Sequence, residues 1–352
     1  MLKKNGIKNL VILRTDRIGE VLLSTVAIDA VKDQFPNVEI SFVTSTYSKS
    51  LLEDRDNVKE IFTFDIFKEK GIFWNAIALA KKLKAAKFDT SVTLNPHKVL
   101  HLACFFAGIP LRIGYDRKWG FLLNKKIRDK RDEGKKHEIE YTYDLLALLG
   151  VTKPVKGPYL PVNKKAEESL AGILTGKGIF SDKKMIVIHP GSSNPSKIWS
   201  WRNYVELIKR IKKNIYSNVV LVGSEQEKDI SGKIMENSGE DVKDLTGCLD
   251  IKELIAFLRR CDVFIGNDTG PMHMAAAVGI PVVAIFGRNI PGVSPVRWRP
   301  WGDKNIVLYR TMGCDPCLDS GCRKNFKCLE AVTVDAVFSA AKGIMKNTGT
   351  CI

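Results

Sequence analysis

One chain turn gathers Asp268, Thr269, Gly270 and His273 at a predicted helix start that could hold an anion. They follow the apolar run Val263-Phe264-Ile265 and open a predicted helix with Pro271 in its first turn, where a missing N–H costs nothing. Free N–H groups at such a helix start favour a phosphate. The other reading of the turn is a capped helix with a hydrogen-bonded Asp and an incidental His. A second candidate is the loop His189-Pro190-Gly191-Ser192-Ser193-Asn194-Pro195-Ser196-Lys197, followed by Trp199 and Trp201. Its two hydroxyls, Ser192 and Ser193, and the Lys197 ammonium can contact phosphate oxygens. It is not a Walker loop, since G-x-x-x-x-G-K is absent. A third is Glu227, or its neighbour Glu225, just past the apolar run Val219–Val222. A carboxylate there can accept two hydrogen bonds from a ribose diol. Far upstream, Glu20 opens a helix beside Gly19, and Asp16 precedes it in the same loop. Glu20 reads either as an acid favoured by the helix dipole or as a general base.

These residues need strands and helices to place them. Leu10–Leu13, Val38–Val43, Glu60–Phe64 and Thr90–Leu94 read as strands in the first half. Helices are predicted from Glu20 to about Gln34, over Phe73–Ala86, over His97–Ala107 and over His137–Leu149. In the second half, Met185–Ile188, Val219–Val222, Val263–Ile265 and Val282–Phe286 read as strands. Helices fall between them at Trp201–Lys213, Ile251–Arg260 and from Thr269 or Gly270 to Gly279. Alternation of this kind predicts parallel, doubly wound sheets. Val151–Lys165 has three prolines and a glycine and reads as a linker, so the chain divides into domains at 1–160 and 165–330. A tail helix over Val334–Lys346, within 331–352, is expected to pack back toward the first domain. One continuous sheet, or a dehydrogenase, are the alternatives. The absence of G-x-G-x-x-G counts against the latter.

The 352 residues carry a net charge of +16, which predicts an acidic partner. The basic excess is concentrated from Arg112 to Lys136, with Tyr115, Trp119 and Phe121 interleaved. A solvated loop is one reading. An anionic acceptor or a membrane face is the other, and no nucleic-acid motif accompanies the run. No apolar run reaches the ~18 residues of a membrane-spanning helix, and no signal peptide is evident, so a cytoplasmic protein is expected. His97 and His101 lie one turn apart without a third ligand and read as solvated or capping side chains. Of eight cysteines, Cys314, Cys317, Cys322 and Cys328 cluster. Four thiolates so spaced could hold structural zinc, and free thiols are the other reading.

The motifs RTDRIGEVLLST, HPGSSNPSKIW and GNDTGPMHMAAAVGIPVVAIFG, in this order, resemble the heptosyltransferase family of glycosyltransferases (family 9) over nearly the whole chain. The resemblance implies a GT-B architecture: two Rossmann-like domains facing across a cleft, with no catalytic metal or cofactor. It implies an inverting transfer of heptose from ADP-heptose to an inner-core sugar of lipopolysaccharide, on an anionic lipid A–Kdo acceptor met at the inner leaflet of the inner membrane. Glu20 falls at the family's acidic catalytic position, commonly Asp, and the longer side chain here is a departure. Lys197 falls on the phosphate-contacting lysine. Asp268, Thr269, Gly270 and His273 fall on D-[ST]-G-x-x-H, which holds the donor together with Ser192, Ser193 and Glu227. Asp16, Arg17, Arg112, Arg117 and Lys118 are expected to meet the acceptor. A relative using another nucleotide sugar, or a non-catalytic basic protein binding nucleic acid or membrane, are the alternatives.

Overall fold

The structure, a computed structural model, describes residues 6–66, 71–179, 183–239, 241–288, 290–314, 317 and 319–347. The chain forms two compact units, Met1–Pro161 and Val162–Ile352.

The first unit holds one six-stranded parallel sheet in the order β3-β2-β1-β4-β5-β6. Its strands are β1 (Asn9–Leu13), β2 (Glu39–Thr44), β3 (Glu60–Thr63), β4 (Thr90–Thr93), β5 (Leu111–Tyr115) and β6 (Lys125–Ile127). Helices α1 (Ile18–Ser24), α2 (Val26–Gln34), α3 (Gly71–Ala85), α4 (Lys98–Phe106) and α5 (Glu138–Leu146) connect and flank them. Leu10, Val11, Ile12 and Leu13 are fully buried, as a central strand covered on both faces requires. The single helix expected from Glu20 to Gln34 is two. It breaks at Thr25, whose hydroxyl bonds back to the Leu22 carbonyl and accepts from Arg55.

The basic run from Arg112 to Lys136 is not one loop. It contains β5 and β6, and within it Arg131 and Asp129 are buried. Charge masked two short edge-side strands, because β6 is only three residues long and carries two lysines.

The second unit repeats the plan. Its sheet runs β12-β11-β10-β7-β8-β9, all parallel. The strands are β7 (Lys184–His189), β8 (Ser217–Leu221), β9 (Val242–Asp244), β10 (Val263–Asn267), β11 (Val282–Phe286) and β12 (Ile306–Tyr309). The helices are α6 (Lys164–Gly176), α7 (Trp201–Asn214), α8 (Lys228–Ser238), α9 (Ile251–Leu258), α10 (Gly270–Ala277), α11 (Pro295–Trp298), α12 (Lys327–Glu330) and α13 (Val334–Asn347). Helix α7 buries Tyr204, Leu207, Ile208 and Ile211, an i, i+3, i+4, i+7 stripe. Trp199 packs edge-on against Tyr204 at 4.9 Å between ring centroids.

The tail helix α13 lies on α7 and strands β10, β11 and β12 of its own unit, burying Val337, Phe338, Ala341, Ile344 and Met345 in that core. Its apolar face is wide enough to complete the layer that α7 begins.

In both sheets the strand order reverses beside the first strand, between β1 and β4 and between β7 and β10. Open α/β sheets bind ligands at the carboxyl ends of the strands at such a switch point.

Candidate active site

At the switch point of the second sheet, β7 ends in His189 and β10 ends in Asn267. Asn267 is fully buried and knits the two ends together. Its amide donates to the carbonyls of Pro190 (2.8 Å) and Gly191 (3.1 Å), and its Oδ1 accepts from the Trp199 N–H (3.1 Å) and the Tyr204 hydroxyl (3.0 Å). Four bonds from one side chain fix the H-P-G-S-S loop against the D-T-G turn. Sequence reading passed over Asn267, although an amide at a strand end between two candidate loops is a signal for this role.

Lys197 is brought to the turn it was expected to serve. Its ammonium lies 2.8 Å from an Asp268 carboxylate oxygen and donates to the Asp268 carbonyl at 3.0 Å. Arg288, just past β11, reaches the same Asp268 oxygen at 3.2 Å and Asp319 at 3.4 Å. Arg288 was missed by sequence reasoning, since a lone arginine after a strand carries no motif. Two cations, two carboxylates and the start of α10 thus converge. Thr269 and Gly270, at that helix start, are half-exposed. His273, one turn in, is buried. Ser192 accepts from the Asn194 N–H at 3.2 Å, and Ser193 is exposed. An ammonium, a guanidinium and free helix N–H groups in one place suit a diphosphate.

Glu227 sits beside them. Its Oε2 accepts from the Ser224 N–H (2.7 Å) and hydroxyl (3.0 Å), and its Oε1 lies 3.3 Å from His189 Nε2. Burial alone would push this carboxyl up, but His189 and the Ser224 donors outweigh it and hold it down at about 2. It is therefore a fixed anion at neutral pH, suited to accepting hydroxyl protons. Glu225 instead pairs with Lys228 at 2.7 Å on the surface, which separates the two acids that sequence left in competition.

The first unit builds a different site. Arg14 follows β1 directly and is buried. Its guanidinium meets Asp16 (2.9 Å), Glu138 (3.1 Å) and the Leu94 carbonyl (3.2 Å). Asn95, past β4, donates to the other oxygen of Asp16. Arg131 forks onto Asp129 with two bonds of 2.9 Å and shares Glu138 and Leu94 with Arg14. Burial lowers the Arg14 guanidinium, yet Asp16 and Glu138 more than compensate and keep it charged.

Glu20 stands in the first turn of α1, half-buried. Burial pushes its carboxyl above the usual range, offset in part by Arg14 and by a hydrogen bond from its own backbone N–H. Asp16, by contrast, is held by the Arg14 ion pair and the Asn95 amide.

The remaining candidate residues divide. Arg17 is exposed in the Asp16 loop. Arg117 lies 3.3 Å from Asp129, and Lys118 is exposed, its carbonyl 3.0 Å from His101 Nδ1. Arg112 does not fit an acceptor role. It lies toward the amino end of β5 and spends its guanidinium on the carbonyls of Leu122 (2.8 Å) and Ile109 (2.6 Å). His97 caps α4 as expected, accepting from the Val99 N–H. His101 is not solvated but fully buried, which pulls its imidazole down to about 4. The four clustered cysteines form no disulfide, and burial together with Cys322 and Cys317 raises the Cys328 thiol. Among the described residues no group of three or more His, Cys, Asp or Glu side chains is arranged to hold a metal ion.

Two doubly wound sheets of the same strand order, one ending in a diphosphate-type turn, define a glycosyltransferase of the GT-B class. More narrowly, the chain belongs to glycosyltransferase family 9 (heptosyltransferase), whose profile matches residues 76–327. It is similar to the lipooligosaccharide heptosyltransferase 2 of Campylobacter jejuni, 24% identical over 94% of this chain and 96% of that one. Its fold matches a family 9 glycosyltransferase from Veillonella parvula with a TM-score of 0.85, at 21% identity over 98% of this chain and 99% of that one. It also matches the ADP-heptose lipopolysaccharide heptosyltransferase II of E. coli, with a TM-score of 0.79 at 23% identity over 98% and 100%.

Proposed function

We propose that this enzyme transfers heptose from ADP-heptose to a sugar of the lipopolysaccharide inner core, with inversion at the anomeric carbon. The observation that carries the reading is the meeting of Lys197, Arg288 and the α10 start beside the fixed anion Glu227. A diphosphate and a ribose are the two halves of a nucleotide that such a site suits, and the relatives with this fold act on ADP-heptose. As the sugar–phosphate bond breaks, negative charge grows on the departing ADP. Cations and helix N–H groups already in place stabilise it without reorganising.

Glu20 takes the proton of the attacking acceptor hydroxyl. A sugar hydroxyl is too weak an acid to ionise first, so its proton leaves as the new bond forms. A carboxyl raised by burial is a stronger base than an exposed one and suits this step. Asp16, Arg17, Arg117 and Lys118 line the acceptor side, and the acceptor is a lipid-linked, phosphorylated core sugar that complements the +16 charge. No helix among the described residues is long and apolar enough to cross a membrane. In this reading the enzyme works from the cytoplasm, and its +16 charge brings it into reversible contact with the inner leaflet of the inner membrane.

Mixing the protein with ADP-heptose and a heptose-deficient acceptor tests this. ADP release that depends on both substrates is expected. Release with a different nucleotide sugar and none with ADP-heptose would replace the donor assignment.

A further inference from the structure

The first unit exposes more aromatic surface than its packing needs. Trp74 is 72% exposed, Phe121 73% and Phe73 58%. Three rings form one chain: Phe73 to Trp119 at 6.3 Å and Trp119 to Phe121 at 6.4 Å between centroids. Trp119 is partly buried against the core and anchors the other two. A further exposed ring, Phe105, lies under Arg112, whose Nε bonds the Leu122 carbonyl next to Phe121.

The backbone goes out of its way to present these rings. Lys118 and Trp119 both hold left-handed conformations, φ 51° and 69°, which non-glycine residues adopt at a cost. The Lys118 carbonyl is pinned 3.0 Å from the buried His101 ring. A strained pair that turned Trp119 and Phe121 inward would need no further account. One that turns Phe121 into solvent needs something for the ring to meet.

Cations ring the patch. Lys98 sits 5.4 Å from the Trp119 ring centroid, and Lys126 donates to the Gly120 carbonyl at 3.4 Å. Among the described residues Lys98, Lys118 and Lys126 make no ion pair with a carboxylate. The nearby acids are engaged: Asp129 by Arg131 and Arg117, and Asp116 by the Asp129 N–H. Aromatic rings backed by unneutralised lysines match a lipid headgroup region, where rings sit at the boundary and ammonium groups meet phosphates.

We infer that the face formed by Phe73, Trp119 and Phe121 docks into the surface of an anionic bilayer, with Lys98, Lys118 and Lys126 on the lipid phosphates. Lys98 follows His97 at the start of α4, just past the carboxyl end of β4, and burial lowers the His97 imidazole, with Lys118 adding to the effect against Asp16. The patch thus borders the carboxyl edge of the first sheet, where a lipid-linked acceptor is taken. In that respect the inference rests on the proposed reaction. The docking itself does not.

Sedimentation of the full-length protein with phosphatidylcholine vesicles, with and without phosphatidylglycerol, tests it. Binding to the anionic vesicles is expected, weakening but not vanishing as salt rises, because ring insertion is not screened. The double variant Phe73→Ser/Phe121→Ser should melt like the wild type and lose vesicle binding at least ~10-fold. Lys118→Glu/Lys126→Glu should abolish the preference for anionic vesicles. The serine variant should turn over a water-soluble truncated acceptor normally and a vesicle-embedded one poorly. Wild-type vesicle binding by the serine variant would overturn the inference. So would a dimer that the same substitutions dissociate while vesicle binding persists. Vesicle binding without any ADP-heptose turnover would instead fault the reaction and leave the docking face standing.

Discussion

The Glu227 carboxylate occupies the space that a side chain on Gly191 would need. A Cβ built on Gly191 would lie 1.7 Å from Glu227 Oε1 and 2.3 Å from its Cδ. The glycine in H-P-G-S-S is therefore there for a partner 36 residues away, and not for a turn alone. Gly191→Ala should still fold, because the obstructing atoms are the end of a flexible side chain. It should expel Glu227 from His189 and Ser224. Losing a fixed anion of this kind is worth about 1.5–3 kcal/mol, or roughly 10-fold to 100-fold in ADP affinity by calorimetry. Unchanged affinity would mean that Glu227 does not meet the nucleotide.

Glu227 also sets a pH dependence. Its carboxyl is held down at about 2 in the fold against an ordinary value of 4.5. The unfolded chain thus binds the proton more readily, and stability from this group is present above pH ~4.5 and lost as pH falls toward about 2. The melting-temperature gap between wild type and Glu227→Gln should be largest at neutral pH and close in that window. A gap that widens on acidification contradicts this.

Glu20 should behave in the opposite sense. Burial raises its carboxyl, so the basic form is lost at a higher pH than for an exposed glutamate. Turnover should fall on the acid side, along a limb above the usual carboxylate range. Glu20→Gln should lower turnover by about 100-fold or more, remove that limb and leave ADP affinity nearly unchanged. Wild-type turnover in this variant would make Glu20 a helix-start acid and turn attention to Asp16.

Lys197 and Arg288 share one Asp268 oxygen, so removal of either leaves the other cation still paired. Lys197→Ala should weaken ADP binding and turnover together, with the larger effect on turnover if its contact tightens in the transition state. Arg288→Met should do the same to a smaller extent, since Asp319 also holds Arg288 back. Initial rates and calorimetry on both variants separate the two. An Arg288→Met enzyme indistinguishable from wild type would confine Arg288 to bridging Asp268 and Asp319.

Glu138 takes two buried guanidiniums, Arg14 at 3.1 Å and Arg131 at 3.6 Å. Glu138→Ala would leave the two cations facing each other, and breaking such a buried pair costs about 3–5 kcal/mol. Urea unfolding should show that loss. A change within about 0.5 kcal/mol, the range of ordinary surface substitutions, would show that the network is solvated.

Much of this enzyme is legible in its sequence. Buried parallel strands such as Leu10–Leu13 and Val263–Phe264-Ile265 announce themselves, because two covered faces demand an unbroken apolar run. Strands that lie near a sheet edge, such as β6 with its paired lysines, do not. The helix starts near Glu20 and at Gly270 and the loops that precede them were equally plain, since Gly, Pro and acidic residues act locally on the backbone. Lys197 and the D-T-G turn were readable for the same reason.

What sequence order alone could not decide is which strand ends become neighbours. Reversal of strand order beside β1 and β7 is a property of the folded sheet. It sets Asn95 against Asp16, and Asn267 against the Gly191 loop. The choice of Glu227 over Glu225, the recruitment of Arg288 and the withdrawal of Arg112 into main-chain bonds all depend on contacts between residues far apart in the chain. The raised carboxyl of Glu20 likewise comes from burial under other elements. Local backbone preference is written residue by residue. Desolvation and ion pairing exist only once distant segments have packed, and those two effects determined which of the charged candidates were left able to do chemistry.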